Sequence, residues 1–147
     1  MAALSSGSEM IRDLVPFLSQ DRLTVEDVTG RVGPVAQDPG GLMSIELDPV
    51  ISGLETARLA RYPDSGLPYL LELEFSPDSR PTVASLKPFL GDYRQARTDR
   101  GRPLEVMFYP PAGGSRWNVV VIGTVPEGTG RLDDAPVTNV ALRRDPQ

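Results

Sequence analysis

Two stretches of this chain read alike, and that likeness limits the fold more than any other feature. Leu23-Thr24-Val25-Glu26-Asp27-Val28-Thr29-Gly30-Arg31-Val32-Gly33 lies over Pro81-Thr82-Val83-Ala84-Ser85-Leu86-Lys87-Pro88-Phe89-Leu90-Gly91. The threonine, the valine and the closing glycine are identical, and Val28/Leu86 and Val32/Leu90 match in character. Each stretch reads as a short helix. Thr24 or Thr82 serves as N-cap, apolar residues recur at helical spacing, and Gly33 or Gly91 supplies a left-handed residue to end the helix. Pro88, inside the second copy, is expected to shorten or distort its helix.

The segments after the two helices also correspond. Leu42–Leu47 and Leu104–Tyr109 read as strands, each ended by proline. Second strands are available at Glu55–Tyr62 and Arg116–Val125, and third strands at Leu67–Phe75 and Val137–Arg143. Pro63-Asp64-Ser65-Gly66 and Pro110-Pro111-Ala112-Gly113-Gly114 have the composition of hairpin turns. Connections this short do not allow parallel crossovers, so the expected fold class is α+β: two similar helix-plus-three-strand units forming antiparallel sheet packed on helices. Ahead of them, Ser6-Gly7-Ser8-Glu9 has capping-box spacing, and Met10, Ile11, Leu14, Val15 and Leu18 form one apolar stripe. This predicts an extra N-terminal helix, kinked or stopped near Pro16 and buried within its own domain. The expected organisation is a flexible N-terminus over 1–8, a single α+β domain over 9–144 with suspected repeats 23–79 and 80–144, and a tail over 145–147.

Composition then restricts function. The chain has no cysteine, so disulfides and thiolate zinc sites are impossible, and no histidine, the residue most often used for acid–base work near neutral pH. Cys-His and Ser-His-Asp constellations cannot be built. Met1–Ser8 lacks the features of a signal peptide and no apolar run reaches membrane-spanning length, so the sequence reads as a cytoplasmic protein without a membrane partner. The net charge of −5 argues against a nucleic-acid partner. Charge is unevenly spread: residues 1–79 carry 13 acids against 5 bases, residues 80–147 carry 7 against 10. All the bases except Lys87 are arginine, a bias that GC-rich coding alone produces.

Several groups offer chemistry. Glu72 and Glu74 alternate with Leu71, Leu73 and Phe75 and share a strand face, as Glu46 and Asp48 do. They read as solvated strand faces, with a carboxylate-dependent enzyme as the alternative. Asp133-Asp134 lies in a polar loop without EF-hand spacing, and Gly128-Thr129-Gly130-Arg131 reads as a turn rather than a phosphate loop. Lys87 leaves a serine–lysine pair open. The run Tyr93–Arg102 holds four arginines able to dock an anion, with a solvated loop as the plainer reading. No cofactor or metal is expected.

The strand faces point to binding. Leu104, Val106 and Phe108 are expected inward, leaving Met107 and Tyr109 on the other face beside Glu105. In the neighbouring strand Trp117, Val119 and Val121 as well as Val120 and Ile122 are apolar, so either both faces are covered internally or one is an apolar patch of the sort that marks binding sites. Thr56, Arg58 and Tyr62 with Glu72 and Glu74 make a polar and aromatic outward set.

The paired Thr-Val-x-x-Val/Leu helices ending in glycine, each succeeded by strands, resemble the β-lactamase-inhibitor-protein fold over residues 23–144. The resemblance implies a curved sheet whose open face grips another protein. It transfers no binding residue. The expectation is therefore a non-catalytic protein-binding module of the immunity-protein, inhibitor or secretion-linked chaperone type. Its contact residues are expected among Arg58, Tyr62, Glu72, Glu74, Met107, Tyr109, Arg116 and Trp117, and its partner is another protein or a second copy in a homodimer. The alternatives are a carboxylate- or metal-dependent hydrolase and a homo-oligomeric structural protein.

Overall fold

Thr24 starts a helix for a local reason. Its hydroxyl accepts from Asp27 N–H at 3.1 Å while the Asp27 carboxylate accepts from Thr24 N–H at 3.0 Å. That reciprocal box satisfies two donors a helix end leaves free. In the computed structural model, which describes residues 6–40, 44–95, 104–111, 116–126 and 131–146, the result is α2 (Val25–Val32), preceded by α1 (Ser6–Leu18). Thr82 caps α3 (Val83–Leu90) more simply, accepting from Ser85 N–H at 3.2 Å. Pro88 does not shorten α3, which has the eight residues of α2. Pro16 likewise leaves α1 intact to Leu18. Each proline stands near the C-terminal end of its helix, so the one intrahelical bond its missing N–H forfeits falls in the last turn and interrupts no further turn beyond it. The closing glycines are not left-handed helical. Gly91 takes φ 80° and ψ −168°, a region open essentially only to glycine, and a Cβ on Gly33 would collide with the Asp48 carbonyl.

The chain forms eight strands: β1 (Val35–Gln37), β2 (Ile45–Leu47), β3 (Leu54–Arg61), β4 (Pro68–Phe75), β5 (Tyr93–Gln95), β6 (Leu104–Phe108), β7 (Trp117–Val125) and β8 (Asn139–Pro146). They make one antiparallel sheet in the order β1-β2-β3-β4-β8-β7-β6-β5. Each half thus carries four strands, not three. The added members, β1 and β5, are three-residue edges with mostly exposed side chains, and they exist because β2 and β6 offer unpaired backbone. Single 3-10 turns precede α3 (Pro77–Ser79) and β8 (Leu132–Asp134).

Helices and sheet enclose one continuous apolar cluster drawn from both halves: Ile11, Leu14 and Leu18 of α1, Val28 and Val32 of α2, Leu86 and Leu90 of α3, and the inward residues of β2–β4 and β6–β8. Each such Leu, Ile or Val contributes about 1.5–3 kcal/mol relative to exposure. The N-terminal stripe is buried as expected, but order begins earlier than residue 9. Gly7 sits so close to the Ser79 carbonyl that a Cβ there would collide with it, and Ser8, fully buried, hydrogen-bonds Ser85 at 2.8 Å. The tail expected at 145–147 is also mostly strand, since Asp145 and Pro146 pair with Asn118 and Trp117.

Arg144 closes the far end of the core. It is 2% exposed, yet no described carboxylate is bonded to it. Its guanidinium donates to the carbonyls of Leu18 (2.7 Å), Gln20 (2.8 Å) and Pro68 (2.9 Å) and lies 4.2 Å from the centroid of the Trp117 ring. The cation thereby meets the negative end of α1 as well as an aromatic face. Burial pulls the guanidinium below its ordinary value, partly opposed by Tyr62 and Asp21. No helix among the described residues is long and apolar enough to cross a membrane.

Candidate protein-binding face

Strand register sorts side chains between two faces. Ala57, Leu73, Val140, Gly123 and Val106 are cross-strand neighbours on the helix-covered side. One residue along, Glu46, Arg58, Glu72, Ala141, Ile122, Met107 and Arg94 form a row across the opposite side. Thr56, Glu74, Asn139, Thr124 and Glu105 form a second row. A third joins Ala60, Leu70, Arg143 and Val120. The buried apolar members of this side, Ala60 and Val120, lie outside the core cluster that the helices cover. Among the described residues, this face carries no helix.

The face is chemically mixed. Around a shallow depression of about 470 Å³ stand Arg58, Glu72, Glu74, Glu105, Thr124 and Asn139, with Ile122 and Ala141 among its apolar members. Toward β6 the surface turns aromatic: Tyr109 is 51% exposed, its hydroxyl donates to the Met107 sulfur at 3.7 Å, and the Arg94 guanidinium lies 5.7 Å from its ring centroid. Arg143 is held by Asp145 through bonds of 2.9 and 3.1 Å, which raise its pKa. This patch is only partly apolar in exposure. Val120 is 5% exposed, and Ile122 and Met107 are half-buried.

A scan against protein-family models, a search of curated proteins and a search of solved structures each return no match for this chain.

Of the expected contact residues, Arg58, Glu72, Glu74, Met107 and Tyr109 share the bare face. Tyr62 does not join them. It stacks on Tyr69 at 4.7 Å and lines a separate recess with Thr24, Arg61 and Leu67. Arg116 is exposed at the start of β7, where its backbone N–H donates to Asp21 at 3.0 Å. Trp117 is on the helix-covered side, against Arg144. Sequence reading misses Leu70, Thr124 and Asn139. Period-two alternation could mark them as outward in their strands, but only the β4–β8 and β7–β8 pairings place them on one continuous surface.

The remaining candidates for chemistry are held in places that do not favour it. Glu72 and Glu74 line the same depression as Glu105, but Glu105 is three strand spacings from Glu74, about 14 Å along the sheet. Among the described residues no three acids stand close enough to hold a metal ion. Lys87 pairs with Asp133 at 2.9 Å and lies 5.1 Å from the Tyr93 ring centroid, and the Tyr93 hydroxyl also donates to Asp133 at 3.0 Å. The bond to Asp133 raises the lysine pKa, the reverse of what a serine–lysine base requires. The same two bonds lower Asp133, and desolvation together with Asp133 raises Tyr93. The arginine run beyond Gln95 and the turn at 128–130 lie outside the described residues.

Proposed function

We propose that this chain is a non-catalytic protein-binding module that holds its partner on the bare face of the sheet, in the manner of an immunity protein, inhibitor or secretion-linked chaperone. One observation carries the reading: an eight-stranded sheet is packed by helices on one side, while the other presents charged, aromatic and half-buried apolar side chains in continuous cross-strand rows. A mixture of that kind suits a non-obligate interface, where aromatic, Met and Arg side chains supply anchors within a polar surround. The lack of histidine and cysteine supports the non-catalytic part, and the lack of cysteine suits a cytoplasmic setting.

The same proposal treats the two halves as copies of one duplicated unit, with the likeness to the β-lactamase-inhibitor-protein fold that this implies. Three features support it: threonine caps at Thr24 and Thr82, burial of Val28 and Val32 alongside Leu86 and Leu90, and a strand order that runs outward in the same sequence from β4 and from β8.

Native-lysate cross-linking with the full chain tests the function. A stoichiometric protein partner is expected, with recovery reduced about tenfold or more in a Met107→Asp/Ile122→Asp variant that keeps its circular dichroism. An Arg12→Glu variant on the helix side is expected to recover it fully. If light scattering instead shows a dimer that the bare-face variant dissolves, the partner is a second copy. A monomer without a stoichiometric partner, or a partner indifferent to Met107 and Ile122, overturns the reading.

A further inference from the structure

Five of the described bases are neutralised one by one. Arg12 meets Asp13, Arg61 meets Asp38, Lys87 meets Asp133, Arg131 meets Asp134 and Arg143 meets Asp145. Arg22 and Arg116 make no ion pair with any described residue, and the two converge. They line one recess of about 480 Å³ where the loop after α1 meets the start of β7 and the end of β8, together with Asp21, Trp117 and Pro146. Behind its tryptophan wall lies another guanidinium without a described carboxylate partner, that of Arg144, bonded to carbonyls. Asp21 is the one carboxylate among the described lining residues, and its Oδ1 is engaged by the Arg116 backbone N–H. Among the described residues, three arginines stand against one aspartate at the recess and its wall. Arg144 is shielded from water, so its field at the recess is screened less than that of a surface charge.

We infer that this recess is a binding site for a small oxyanion, a carboxylate or phosphate, carried on a planar apolar group. Guanidinium forks match both oxyanions, so Arg22 and Arg116 take the charged end. The ring of Trp117 and the face of Pro146 take the apolar end. Trp117 faces the helix-covered side of the sheet, so the site is separate from the proposed partner face and stands or falls independently of it.

Trp117 is the only tryptophan in the chain, so its fluorescence reports occupancy directly. Phenyl phosphate and inorganic phosphate serve as probes, titrated into the full chain at constant ionic strength with sodium chloride as reference and calorimetry alongside. Phenyl phosphate is expected to change the emission saturably. Its half-saturation should rise about tenfold or more in Arg22→Gln/Arg116→Gln, as loss of two charge-assisted contacts requires. It should be unchanged in Arg131→Gln. Both substituted positions are exposed, so the fold is kept, which circular dichroism verifies. Inorganic phosphate is expected to bind the same site more weakly, and equal affinity overturns the role given to Trp117 and Pro146. A response no different from chloride, or affinity that the double substitution leaves unchanged, overturns the site.

Discussion

Arg144 shows how much a single side chain does here. In sequence it is one arginine of two in the C-terminal run, yet in the fold it is 2% exposed and ties the end of α1 to β4 through three carbonyls. Lysine at this position keeps the charge but not the fork, so Arg144→Lys leaves carbonyls of Leu18, Gln20 or Pro68 without a donor. Each orphaned carbonyl costs about 1–3 kcal/mol. The expected result is a lower urea midpoint with an unchanged slope, monitored by Trp117 fluorescence; an unaltered midpoint contradicts the account. The residue scale is also where sequence reading is weakest. Trp117 looks like a contact residue because a large aromatic at a strand start often is one, and nothing local reveals that Arg144, far along the chain, stacks on its ring. Glu72 and Glu74, by contrast, are legible as sharing a side because alternation within a strand is a local property.

Among the elements, α2 and α3 begin where the sequence says they should, at Thr24 and Thr82, because an N-cap is decided within four residues. The contact that holds α3 against the turn before β8 is less local. Lys87 in the helix, Tyr93 in β5 and Asp133 in the 3-10 turn meet through one carboxylate. Asp133 is pulled below its ordinary value, chiefly by Lys87, so its contribution to the fold is complete above the ordinary aspartate range and is lost as pH falls through its own lower pKa. Lys87 is raised, so its share is complete below the ordinary lysine value and is lost only as pH climbs through its own higher pKa. Asp133→Asn is therefore expected to lower stability by a constant amount across the neutral range. The gap should narrow only in strong acid and in strong base, as thermal unfolding at a series of pH values would show. A gap that varies between mildly acidic and mildly basic pH would refute this. The edge strands β1 and β5 escape sequence reading for a physical reason: three mostly exposed residues have no apolar alternation, and they become strands only by pairing with β2 and β6.

For the whole molecule, the central event is the pairing of β4 with β8, which joins two four-strand halves into one sheet over one apolar cluster. Helix α1 precedes the first half but packs on α3 of the second, with Ser8 bonded to Ser85. Neither half keeps its core closed without the other. Full-length protein is expected to unfold in a single transition with coincident circular dichroism and Trp117 fluorescence, while a fragment spanning 80–147 shows no cooperative transition. Two separate transitions, or a fragment that melts cooperatively, would count against this picture. By itself the sequence determined the α+β class, the two cap positions, six of the eight strands and the inward stripe of α1, all properties with periods or spacings of a few residues. The tertiary structure alone decided which strands are neighbours, that one side of the sheet stays bare of helices among the described residues, and that Arg22, Arg116 and Trp117 meet at one end. Those are contacts between residues distant in the chain, fixed by burial of the whole core rather than by any local preference.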